Sequence, residues 1–282
     1  MQQFRVIQGT FHVKGYQPDG DSIRFMADDP AAWDSFTFTS AAKKKAAKKQ
    51  LRIEAIDALE THYEGYHQPR PFAIAALEQM LRLLGITNVH YSLSVTTIVD
   101  ADDAKPGFII TSGLDRYDRP ISFIFPASAK LTDGALLTAE RIPLEKSVNY
   151  KLARAGLVYP TFYTSTNRTI AIKIRKAVAS ARNSARGLWA IDRTRDLTIW
   201  DMRTLQDDYL VMPKLFRRLV EFFDNYGDFE LLPAYMARQK DNLQLWDDST
   251  PRSLADLMTF DISGRRMGLK VPVEDILFSP KG

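Results

Sequence analysis

At 282 residues, 45% of them apolar and 26% charged, the chain has the composition of a globular protein with room for one large domain or two ordinary ones. The absence of cysteine excludes disulfides and thiolate metal sites, and no apolar run approaches the roughly 18 residues that a membrane helix needs. The net charge of +4 is uneven: Lys and Arg outnumber Asp and Glu by 25 to 19 over residues 1–192, but by residues 193–282 the balance is 13 to 15. The basic excess, which suits a polyanionic partner, therefore lies in the first part. The opening segment, Met1 to Gly15, lacks the features of a secretory signal, so a soluble cytoplasmic protein with no membrane association is expected.

In chain order, residues 4–13 and 21–26 read as two strands joined by the turn Gln17-Pro18-Asp19-Gly20, because proline presets the turn and glycine supplies positive φ. Residues 28–50 form an irregular insertion ending in five lysines (Lys43, Lys44, Lys45, Lys48 and Lys49), expected as a solvated helix or loop. Leu51 to Asp57 alternates apolar and polar like a half-buried strand. Phe72 to Leu84 has helical spacing and is stopped by Gly85. Further strands are expected at His90–Val99, Phe108–Thr111 and Ile121–Pro126, the last two flanking a turn from Gly113 to Arg119. Helices are expected over 147–157 and 168–187. The pattern changes after Trp189, which sets a boundary near Asp192. Beyond it comes a helix near Pro213–Asn225 within a C-terminal extension of unknown role and mainly helical character.

Several of these positions have chemistry to offer. Asp21 stands on the exposed Asp19-Gly20-Asp21 bend, where oxygen donors can converge on a hard cation, although an Asx turn is the default role for such a triplet taken alone. Asp57 and Glu60 end the next strand, at the same rim. Arg52 lies on that strand and Arg119 on the turn before Ile121. A planar guanidinium binds phosphate oxygens in bidentate fashion and stabilises charge that grows in a phosphoryl transition state. Metal carboxylates, a further carboxylate and two arginines together suit phosphodiester hydrolysis. The four histidines are scattered without ligand spacing, and there is neither a glycine-rich phosphate loop nor a nucleophile elbow.

Four blocks in order resemble the thermonuclease (staphylococcal-nuclease-like) family: DGDSIRF from Asp19, LRIEAIDALET from Leu51, DRYDRPISFIF from Asp115 and VNYKLARAGLVY from Val148, with a closing basic helix that ends Gly187-Leu188-Trp189. The resemblance covers about residues 4–190. It implies an α+β fold, an OB-type five-stranded β-barrel with packed helices, for a nuclease-like domain over 1–192, with 193–282 outside it. It implies a calcium ion held by Asp21, Asp57 and the backbone carbonyl of Ala58, with Arg52, Glu60 and Arg119 catalytic. Glu60 then deprotonates or orients the attacking water. The chain departs from the family pattern at Ala58 and Leu59, where Thr and Pro are usual, and at Asp118, where Gly is usual. Carboxylate ligands do not choose among Ca²⁺, Mg²⁺ and Mn²⁺.

The implied function is a metal-dependent endonuclease that acts on DNA or RNA with little sequence preference. Arg116, Tyr117 and Tyr163 are the expected substrate contacts, and stacking on the tyrosines favours single strands. One alternative is a non-catalytic nucleic-acid-binding module on the same barrel. Another is a protein-interaction module built on the C-terminal aromatics Trp200, Phe222, Phe223 and Trp246, residues for which a core role is the simpler expectation.

Overall fold

A computed structural model describes residues 2–93 and 96–279. The chain begins with β1 (Phe4–His12), β2 (Ser22–Ala27), the short helix α1 (Ala41–Lys45), β3 (Lys48–Ile53), β4 (Ile56–Asp57), α2 (Arg70–Leu84), β5 (His90–Tyr91), β6 (Ile98–Asp100), β7 (Lys105–Leu114), β8 (Pro120–Pro126) and β9 (Leu136–Leu137). Next come α3 (Val148–Ala155), β10 (Tyr159–Pro160), β11 (Phe162–Tyr163), α4 (Arg168–Asn183), β12 (Leu197–Thr198), α5 (Pro213–Asn225) and α6 (Leu232–Arg238). The chain continues with β13 (Leu243–Leu245), β14 (Asp248–Arg252), β15 (Met258–Asp261), β16 (Arg266–Leu269) and β17 (Ile276–Phe278).

Five strands close into a barrel. β1 pairs with both β2 and β7, β2 with β3, and β7 with β8, and the parallel β3–β8 pairing seals the ring at Arg52↔Ile121 and Ile53↔Ser122. β1 serves β2 and β7 through its two edges, and it meets β2 at close range at Gly9. Gly9 permits this: a Cβ there would stand 2.1 Å from the Met26 carbonyl oxygen. Alternating apolar residues fill the interior, with Ile7, Phe11, Phe25, Leu51, Ile53, Phe123 and Phe125 all fully buried. α2 covers β8 and α3, and α3 in turn packs on α4. The expected α+β barrel with packed helices is the observed architecture.

Other expectations need correction. His90–Val99 is not one strand: β5 and β6 are the two arms of a small hairpin, and Ser94 and Val95 lie outside the described residues. Leu51–Asp57 is also broken. Ala55 adopts a left-handed φ of 67°, so β3 ends at Ile53 and β4 leaves in a new direction to pair with β10 at Asp57↔Tyr159. The lysine run divides as well. Lys43–Lys45 are exposed on α1, but Lys48 and Lys49 open β3. Lys49 is only 4% exposed. Its ammonium donates to the carbonyls of Lys43, Lys44 and Ala46 at 2.6–2.7 Å and so terminates α1, with the Phe38 ring 4.9 Å away.

The region after Asp192 is not mainly helical. Among its described residues it holds two α-helices and six short strands in two sheets, β12-β16-β15 and β17-β13-β14. The second sheet is continued by β11, which runs parallel to β17 at Phe162↔Leu277. Arg182 Nε donates to Glu274 at 3.0 Å and Arg175 Nε to Asp275 at 3.1 Å, tying α4 to the turn before β17. α5 buries Leu215, Phe216, Leu219, Val220 and Phe222, consistent with the core role expected for Phe222, whereas Trp200 is 64% exposed. No helix among the described residues is long and apolar enough to cross a membrane.

Candidate active site

The Asp19-Gly20-Asp21 turn enters β2 directly beneath α2. A Cβ on Gly20 would lie 2.7 Å from that of Ala76 and 2.9 Å from that of Ala58, so glycine lets the turn press against the helix and the Ala58 loop. Asp19 accepts from the Thr61 hydroxyl, and the Asp21 carboxylate faces the Ala58 amide at 3.4 Å. Glu60 follows β4 and is fixed through its backbone by a buried side chain. Gln68 Oε1 accepts from the Glu60 amide at 3.1 Å, and the Gln68 amide donates to the Glu60 carbonyl at 2.9 Å. Asp19, Asp21, Asp57 and Glu60 thus share one rim.

Burial is the main influence on the protonation of Asp19, Asp21 and Glu60. Burial, reinforced by the charges of Asp57, Asp19 and Glu60, holds Asp21 well above the ordinary carboxylate range. Burial likewise lifts Glu60 to about 7, against the opposing charge of Arg217, and raises Asp19. On β3, burial disfavours the Arg52 cation, but Tyr163, Glu54 and Asp57 together outweigh it and raise the pKa. The Arg52 guanidinium lies 4.4 Å from the Tyr163 ring centroid. Tyr163 also has Phe278 beside it, at 6.1 Å between centroids.

Arg119 leaves a turn organised by Asp115, whose carboxylate accepts from the amides of Tyr117 and Arg119 at 2.9 Å and from Arg119 Nε at 2.7 Å. Arg119 is therefore paired within its own turn, not with the carboxylates across the rim. Asp118 has a φ of 64°, the conformation that glycine takes most readily. Its carboxylate accepts from the Thr39 amide at 3.0 Å and meets Lys43 Nζ at 3.1 Å, so the lysine-rich segment braces the Arg119 turn. Tyr117 is 55% exposed, with the Arg116 and Arg119 guanidiniums 4.7 and 5.5 Å from its ring centroid.

Asp21, Arg52, Asp57, Ala58, Glu60, Arg116, Tyr117, Arg119 and Tyr163 all line one cavity of about 1130 Å³, together with Asp19 and Glu54. Its far wall belongs to the C-terminal region. Lys214, Arg217, Arg218 and Glu221 line it from α5, and Lys240 and Asp241 from the segment that follows α6. Arg217 Nη2 lies 3.1 Å from Asp57 Oδ2, and Nη1 is in direct contact with Glu60 Oε1. Burial disfavours the Arg217 cation, but Asp57, Glu60 and Asp21 more than reverse this and raise its pKa. Arg217 was missed in the sequence. The signal available there was the polar stripe at positions 214, 217, 218 and 221 of an amphipathic helix, which says nothing of what the stripe faces.

The carboxylates of the rim and the Ala58 carbonyl offer oxygen donors of the kind that suit a hard divalent cation, with His62 Nδ1 3.7 Å from Asp19 Oδ1. Among the described residues no three ligating side chains converge as they stand, and Asp57 and Glu60 are engaged by Arg217. The chain matches no model of a known protein family and no curated protein.

Proposed function

We propose that this cavity hydrolyses phosphodiester bonds of DNA or RNA with little sequence preference, in the manner of the thermonuclease family that the motifs resemble. The observation that supports it most is the assembly on one cavity of four carboxylates, two from the turn into β2 and two from β4 and the loop after it, with Arg52 from β3 and Arg119 from the turn before β8. Asp21, Asp57 and the Ala58 carbonyl would hold the metal, calcium in the first instance. When bound, it would neutralise phosphate charge and lower the repulsion between the diester and its nucleophile.

The remaining work falls to the chain's own residues. Glu60, on a loop pinned by Gln68, takes or orients the proton of the attacking water. Arg52, levelled by Tyr163, and Arg119, aimed by Asp115, receive the charge that develops on the equatorial oxygens. Tyr117 offers an exposed face for a base, and Arg116 a phosphate contact. Stacking of a base on the exposed Tyr117 favours a single strand as the substrate.

The test is cleavage of a labelled single-stranded oligonucleotide in calcium by wild type, Glu60→Gln and Arg119→Ala. We expect each substitution to slow cleavage by ~10²- to 10³-fold while the protein stays folded. Rates equal to wild type would remove these residues from the reaction. A non-catalytic binding module on the same barrel is the second reading, favoured by the engagement of both Asp57 and Glu60 by Arg217. It predicts oligonucleotide binding without cleavage in any divalent metal.

A further inference from the structure

We propose that Arg217 is a resident cation of this site, and that α5 and a divalent metal ion compete for Asp57 and Glu60. The inference rests on the reading of the cavity as a metal-dependent hydrolytic site. One guanidinium spans the two carboxylates, with Nη2 3.1 Å from Asp57 and Nη1 against Glu60. The side chains of Asp57 and Glu60 are only 14% and 13% exposed, so the charge they meet is largely the protein's own. A fork that holds one oxygen of a metal ligand and one of the water-directing carboxylate stands where an incoming divalent ion must bring its charge. The two cations repel each other and share the same donors.

The contact is built into the fold. The loop that follows Glu60 is clasped to α5 and its approach: Tyr63 donates to Glu221 at 3.1 Å, Tyr66 to Asp224 at 2.5 Å, and Gln68 Nε2 to the Val211 carbonyl at 2.7 Å. On α5 itself, Lys214 and Arg218 are both drawn to Asp241, at 3.1 and 3.0 Å, while Arg217 between them points to the carboxylate rim. Movement of α5 and occupancy of the rim are thereby coupled, and metal binding becomes the event that frees Glu60 for water. The C-terminal region acts in this way as a restraint on the barrel's site.

The experiment titrates calcium alone into chelator-treated full-length wild type and Arg217→Gln by calorimetry, with hydrogen exchange of residues 213–225 measured in both states. Arg217→Gln should bind calcium roughly 10-fold more tightly than wild type, and calcium should speed exchange along α5 in wild type. Equal or weaker calcium affinity in the variant, or no binding by either protein, overturns the proposal. If Arg217→Gln melts early, Arg217→Lys and the wild-type exchange data decide the matter, since unchanged α5 exchange in calcium would also overturn it. Tighter calcium binding without cleavage by either protein would leave the competition standing and defeat the hydrolytic reading. Cleavage with unchanged calcium affinity would do the reverse.

Discussion

Glu60 concentrates the electrostatic tension of the rim. Burial lifts its carboxyl from the usual 4.5 to about 7, with Asp57 and Asp19 adding to the rise and Arg217 opposing it. A carboxyl raised in this way keeps its proton in the folded chain at pH values where the unfolded chain has released it. Between about pH 4.5 and 7 the folded state therefore binds more protons, and stability falls as pH rises. In chelator, wild type should melt at a higher temperature at pH 5 than at pH 7.5. Glu60→Gln should show a shallower pH dependence and gain ~1 kcal/mol at neutral pH, as removal of a strained functional charge commonly does. Identical pH slopes for the two proteins would contradict this picture of the rim.

At the scale of elements, the site depends on the turn between β3 and β4, which sets Arg52 on one side and Asp57 on the other. Asn149 on α3, fully buried, holds that turn: its side chain accepts from the Ile124 amide at 3.0 Å and donates to the carbonyls of Glu54 at 2.9 Å and Ser122 at 3.2 Å. Asn149→Ala would strand these buried groups, each at a cost of about 1–3 kcal/mol, so denaturant unfolding should show a loss of about 3 kcal/mol. A loss below 1 kcal/mol would mean the turn is held by other contacts. Much at this scale was legible in the sequence. The helix stopped by Gly85 and the strands around the Arg119 turn depend on neighbours close in the chain, whereas the turn before Asp21 closes from Asp19 to Ser22 and uses Gly20 for its close approach to Ala76 and Ala58, not for the positive φ expected of it. The break at Ala55 was not legible, because a left-handed alanine is imposed by the pairing of β4 with β10, about a hundred residues further on. Nor was the burial of Lys49, which depends on three carbonyl groups assembled by the end of α1.

At the scale of the whole molecule, the barrel's cavity is completed by a region whose motifs announce nothing. The barrel residues could be grouped from the sequence because they recur, in order and with matching flanks, in blocks that resemble those of the thermonuclease family. Arg217 could not, because its partners Asp57 and Glu60 are reached only after α5 docks across the barrel mouth. The six strands of the C-terminal region, none longer than five residues, alternate over too few positions to announce themselves, and one of their sheets is completed by β11 from the barrel side. The most direct test of the central claim is the fate of labelled single-stranded DNA and RNA with the full-length wild-type protein, in calcium and in chelator. Cleavage in calcium that stops in chelator is the predicted result. Intact substrate in calcium, magnesium and manganese alike, with the protein folded and oligonucleotide still bound, would contradict it and leave a barrel that binds nucleic acid without cutting it.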